Sequence, residues 1–236
     1  MSRFTVVGGS VTSLVENVQR QRLVLPIHVG TNGYVQNAGF TIRPVPALER
    51  GPMDGPRAIV LHRTDSSTAE GTMRSFARGV GTHFLVDKDG TVTQAASLLQ
   101  KTAHVGKIQS RCRVDRVCPA DEARMIEGWG WAPSRVHGHE KKKAYPARYP
   151  MNEDSVGIET VALFDRTSKQ WERPTEDQSR SIARLIAILK NEYGLSDADI
   201  YEHDAISYKE PGEGAGLYDG GGATDGMPVR FSPPFF

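Results

Sequence analysis

The chemistry of this chain is concentrated in Ile200-Tyr201-Glu202-His203-Asp204-Ala205-Ile206-Ser207-Tyr208-Lys209-Glu210-Pro211-Gly212, which supplies a histidine, a polar loop and a carboxylate set before a Pro-Gly turn. Proline presets φ and glycine accepts φ > 0, so Pro211-Gly212 bends the chain and gives Glu210 a defined direction. A histidine and a carboxylate from one loop bind a divalent metal, but a catalytic zinc takes three protein ligands and keeps a fourth position for water. The best third donor is His62, at the end of Arg57-Ala58-Ile59-Val60-Leu61-His62-Arg63-Thr64. Four consecutive apolar residues after the breaker-rich 51–56 read as a strand buried on both faces. Open α/β sheets place ligands at the carboxyl ends of such strands. Spacing alone leaves open a second reading, in which His62 is a strand-end histidine bonded to a neighbour.

The elements that must position these groups follow in order. Ser66 to Glu70 offers caps for a helix through Met73 to Arg78, closed by Gly79. Thr82 to Val92 reads as a hairpin turning at Asp87-Lys88-Asp89-Gly90, with His83 structural. Ser155 to Phe164 is a strand, apolar throughout its middle except for Glu159, and a carboxylate there is costly unless it is paired, for example with Arg63, or used. Thr175 with Gln178 fits a capping box, and Ile182, Leu185, Ile186 and Leu189 recur at helical spacing before Gly194.

His62 ending an apolar strand, the Thr82-His83-Phe84 hairpin, Ala103-His104-Val105-Gly106, Ser155-Val156-Gly157-Ile158-Glu159, and His203 through Glu210-Pro211-Gly212 stand in one order. Together they resemble the zinc-dependent N-acetylmuramoyl-L-alanine amidase family, the type 2 amidases and peptidoglycan recognition proteins, over about Ala58 to Leu217. The resemblance implies an α/β fold, a central mixed β-sheet flanked by helices. It implies Zn2+ held by His62, His203 and Glu210, with Asp204 and Glu213 as fallback carboxylates, and Glu159 as the catalytic acid and base. Lys209 or Tyr208 is expected to support an oxyanion. His104 is expected to contact substrate, and Thr82 stands where family members often carry an aromatic hydroxyl. Glu210 replaces the family's Asp or Cys, and Ala103 replaces a tryptophan. The substrate expected is peptidoglycan or a muropeptide, cleaved between N-acetylmuramic acid and L-alanine. The family also contains non-catalytic binding modules, and the departures at 82, 103 and 210 keep that alternative in view.

Length and composition frame this reading. The 236 residues, 38% hydrophobic, fit one globular domain with embellishments, and a net charge of +1 argues against a nucleic-acid partner. No apolar run is long enough to span a membrane, and Met1 to Ser10 lacks the apolar core of a secretory signal. We read 1–56 as an N-terminal extension with a helix over Ser13 to Val24, either packing against the amidase core or docking to a delivery apparatus, 57–218 as the amidase domain and 219–236 as a Gly-rich tail ending in phenylalanines. Residues 107–154 read as a long inserted loop whose Trp129 and Trp131, with interleaved cations, suit a glycan bearing anionic peptides. His137 and His139 offer a weaker second metal pair. Cys112 and Cys118 are either a local disulfide or two reduced thiols. The expected place of action is peptidoglycan in the periplasm of a target cell, reached as an antibacterial effector through a type VI-like secretion apparatus with an immunity protein as partner. A phage endolysin and a cytoplasmic wall-recycling enzyme are the alternatives.

Overall fold

Every residue of the strand Ala58–Arg63 is buried, as four apolar residues in succession require. The protein is described by a computed structural model covering residues 25–220. In chain order the strands are β1 (His28–Val29), β2 (Val35–Gln36), β3 (Thr41–Ile42), β4 (Ala58–Arg63), β5 (Phe84–Val86), β6 (Val92–Gln94), β7 (Ser155–Thr160), β8 (Phe164–Asp165), β9 (Gln170–Trp171) and β10 (Ile200–Glu202). The helices are α1 (Ala69–Phe76), α2 (Arg111–Val114), α3 (Ala120–Glu127), α4 (Pro133–Glu140), α5 (Glu176–Tyr193) and α6 (His203–Ile206).

Six strands form one mixed sheet in the order β10-β4-β7-β5-β6-β3, and β10, β4, β7 and β5 run parallel. The β5–β6 hairpin is antiparallel, turning through Asp87 and Gly90 as the sequence implies. Parallel pairing sets His62 beside Glu159 and Leu61 beside Glu202, so three strand ends meet at one edge of the sheet. Side chains alternate along a strand, so Ile59 and Leu61 face one side while Val60 and His62 face the other.

The first face belongs to α5. Its Thr175 and Gln178 make the expected capping box, and Gly194 ends it in the left-handed region at φ 66°. Ile182, Leu185, Ile186 and Leu189 pack on Ile59, Leu61, Val156 and Ile158. Burying four such side chains is worth roughly 1.5–3 kcal/mol each. On the opposite face Val60 packs with Val105, Ile108, Met151 and Ile206, leaving His62 at the sheet's rim.

One expectation changes: residues 107–154, read as a loop, carry α2, α3 and α4, short helices with few apolar residues. Of the two states considered for Cys112 and Cys118, they form the disulfide, with Cα atoms 4.6 Å apart. The part of the N-terminal extension that is described packs on the core, joining the sheet where β3 pairs with β6 and burying Leu48 fully. The helix expected over Ser13 to Val24 and the terminal phenylalanines lie outside the described residues. No helix among the described residues is long and apolar enough to cross a membrane.

Candidate metal centre

His62 is the penultimate residue of β4, and His203 opens α6 directly after β10, so neighbouring parallel strands deliver two imidazoles with ring centroids 4.1 Å apart. Between them stands the carboxylate of Glu213. Its Oε1 lies 2.8 Å from His203 Nδ1 and 3.5 Å from His62 Nδ1. Both histidine side chains are almost wholly buried, and that of Glu213 is 13% exposed, which leaves the group open on one side.

The other ring nitrogens are committed, and this decides the tautomers. His203 Nε2 lies 2.8 Å from the Val105 carbonyl and must donate to it. His62 Nε2 meets His104 Nδ1 at 3.1 Å. His104 Nε2 lies 3.3 Å from both the carbonyl and the Oγ of Ser155, and that hydroxyl already donates to the Met151 carbonyl. Both Ser155 groups can therefore only accept, so His104 carries its proton on Nε2 and accepts on Nδ1 from His62. In their neutral forms His62 and His203 thus both present Nδ1 lone pairs. Burial, with the adjacent His203 ring, pushes His62 down to about 3, and burial also places His104 far below the usual histidine range. Burial works against the charge on Glu213, but contact with the two rings outweighs it and holds the carboxyl well below its ordinary range. Two lone pairs and a carboxylate within 4.8 Å of one another are a donor set without a proton of its own, which fits a divalent cation.

Glu159 is the paired neighbour of His62 on β7 and faces the same side. Burial, reinforced by the charge of Glu213 and opposed by Lys209, raises its carboxyl to about 8. Arg63, considered as its partner, instead donates to the carbonyls of Glu172, Gly212 and Glu213. The carboxyl is left for other use. Gly157, two residues earlier, lets His104 lie against the strand, since a Cβ there would stand 2.8 Å from His104 Nδ1.

The model of the N-acetylmuramoyl-L-alanine amidase family matches residues 52–213, more than half of the chain and including every member of this cluster. The chain belongs to that family. Solved structures it resembles include the N-acetylmuramoyl-L-alanine amidase LysC from Clostridium intestinale URNW, with 19% identity, a TM-score of 0.43, and coverage of 74% of this chain and 90% of that one. A selenomethionine derivative of AmpD is 16% identical with a TM-score of 0.44, over 74% of this chain and 86% of that one. AmpDH3 from Pseudomonas aeruginosa, in complex with anhydromuramic pentapeptide, is 15% identical with a TM-score of 0.42, over 64% and 51% respectively. No curated protein matches the chain.

The structure of this amidase-family chain redistributes several expected roles. Glu210, expected as the third donor, is exposed and stands outside the cluster, because the Pro211-Gly212 turn swings the next carboxylate, Glu213, between the histidines. His104, expected against substrate, is buried with both nitrogens spent and orients His62 instead. Thr82 is also fully buried, and its hydroxyl donates to the Phe84 carbonyl. His83 is structural as expected, accepting from Gly157 N and bonding the Gln100 carbonyl. Lys209 acts electrostatically on both His62 and Glu159, whereas Tyr208 faces the insertion, its ring edge-on to Trp131 at 5.4 Å. Trp131 is 84% exposed, while Trp129 is occupied with His139 and with Arg135, whose guanidinium stands 4.6 Å from its ring centre. His137 and His139 do not form a pair: His137 accepts from Ile108 N, and His139 pairs with Glu122 beside Glu140, where the Lys143 ammonium already bridges the two carboxylates. The glycine inside an apolar strand at 157 was the one signal in the sequence for the close approach of His104.

Proposed function

We propose that this chain is a zinc-dependent amidase that cleaves the bond between the lactyl group of N-acetylmuramic acid and L-alanine in peptidoglycan or its fragments. The observation that carries the reading is the convergence of His62 Nδ1, His203 Nδ1 and Glu213 Oε1 beside Glu159, a half-buried glutamate that has no ion-pair partner among the described residues. Zinc held by such a set supplies Lewis acidity, acidifying water and polarising an amide carbonyl. His104 and the Val105 carbonyl fix the two imidazoles so that their lone pairs face inward. A Glu159 carboxylate oxygen takes the proton of the attacking water and passes it to the alanine nitrogen as the amide bond breaks. Lys209 places positive charge on the same side and supports the developing oxyanion. Trp131, exposed beside Tyr208, offers an apolar ring to sugar or peptide.

The binding-module alternative rested on the departures at 82, 103 and 210. Glu213 supplies the missing carboxylate, which favours the enzyme. The Cys112–Cys118 disulfide supports action in an oxidising compartment such as a periplasm, which is compatible with delivery as an effector. Mass spectrometry of sacculi digested with zinc-loaded protein is the test. Free stem peptides with an L-alanine amino terminus and peptide-free glycan are expected, whereas intact lactyl-alanine bonds in every product would refute the assignment.

A further inference from the structure

The residue that follows each histidine of the cluster reaches back to one short turn. Asp204, next to His203, accepts from Gly212 N at 2.6 Å through Oδ2 and from Gly214 N at 2.8 Å through Oδ1. Arg63, next to His62 and only 6% exposed, donates through Nη1 to the carbonyls of Gly212 at 2.8 Å and Glu213 at 3.2 Å, and through Nε to Glu172 O at 3.2 Å. No carboxylate lies within salt-bridge distance of Arg63 among the described residues, so its buried guanidinium is held by carbonyls. The peptide groups on both sides of Glu213 are thereby fixed by Arg63 of β4 and Asp204 of α6, each the neighbour of a cluster histidine. The turn also lies hard against those strands. A Cβ on Gly214 would stand 2.6 Å from His203 N and 2.7 Å from Leu61 O.

We propose that Arg63 and Asp204 are positioning residues that clamp the 210–214 turn, making Glu213 and not Glu210 the third metal donor. This rests on the metal reading above and adds to it what selects the carboxylate. Each clamp residue is one peptide bond from a histidine donor, so a shift of either strand end carries the turn with it. The three donors consequently move as one body. Loosening the clamp leaves Glu213 present but misdirected, and outer contacts of this kind typically change metal affinity by about 10–100-fold.

The test uses the full chain stripped of metal and reloaded with Co2+ or Zn2+. Visible absorption of the cobalt form reports the donor set, and competition with a chromogenic chelator reports zinc affinity. D204N and R63K are expected to lose about 10–100-fold in zinc affinity and to change the cobalt spectrum, while E210A retains both properties of the parent. Near-UV circular dichroism verifies folding, and R63K, which keeps the charge, carries the test if D204N does not fold. Parent-like affinity and spectrum in folded D204N or R63K would overturn the clamp while leaving the metal site standing. A parent and H62A that both lack a cobalt band would remove the metal reading, and the clamp with it.

Discussion

Side chains a few ångströms apart have separate duties in the proposed reaction. Glu159→Gln should retain zinc and lose about 10²–10⁴-fold in turnover, the usual loss with a general base. Metal content together with stem-peptide release checks this, and full turnover in a folded variant would remove Glu159 from the reaction. The same residue predicts a pH effect on the metal-free protein. Its carboxyl sits near 8 in the fold against an ordinary 4.5, so the folded state holds the extra proton between those values. Stability from this group therefore falls as pH rises through that window, by up to about 1.4 kcal/mol per pH unit. Glu159→Gln should gain on the parent in urea midpoint between pH 5 and 8 and gain no further above it; parallel curves would contradict the shift. His62, His203 and Glu159 were legible because each stands at the end of, or inside, an apolar run. Glu213 was legible only as a fallback, since a Pro-Gly turn redirects whatever follows it by an angle that residue counting does not contain.

Among the elements, α5 was readable almost to the residue, because its capping box, apolar spacing and terminal glycine all point the same way. Leu185, fully buried beneath the sheet, should cost about 2–5 kcal/mol when changed to alanine, read by urea denaturation. The helices of the insertion were not readable. They are four to eight residues long, and the disulfide and contacts such as Arg111 with the Pro146 carbonyl and Tyr201 hold them more than intrinsic periodicity does. Strand β7 makes a sharper prediction. Gly157→Ala would place a methyl group 2.7 Å from Thr82 Cγ2 and 2.8 Å from His104 Nδ1, so it should weaken zinc binding through His104 as well as destabilise the fold. Unchanged zinc affinity in that variant would show that His104 does not position His62.

For the molecule as a whole, the mixed sheet with helices on both faces follows from the order of strand and helix signals, and so does packing of the extension on the core, whereas the strand pairing that attaches it does not. That segment joins through a two-residue strand and a few buried side chains, Leu48 among them, too short a pattern to carry periodicity. The insertion and the metal turn meet at Trp131 and Tyr208, so Trp131→Ala should raise KM for polymeric peptidoglycan several-fold with kcat little changed. An equal KM would place the glycan elsewhere. What joins these scales is the proposed cation, for which β4, α6 and the turn after it supply the donors. Anomalous diffraction at the zinc edge from crystals of the zinc-loaded protein addresses that directly. A single strong peak bounded by His62 Nδ1, His203 Nδ1 and the Glu213 carboxylate is expected, with Glu210 turned to solvent; a peak at Glu210 or beside Glu122 and His139, with none between the two buried histidines, would overturn the metal centre.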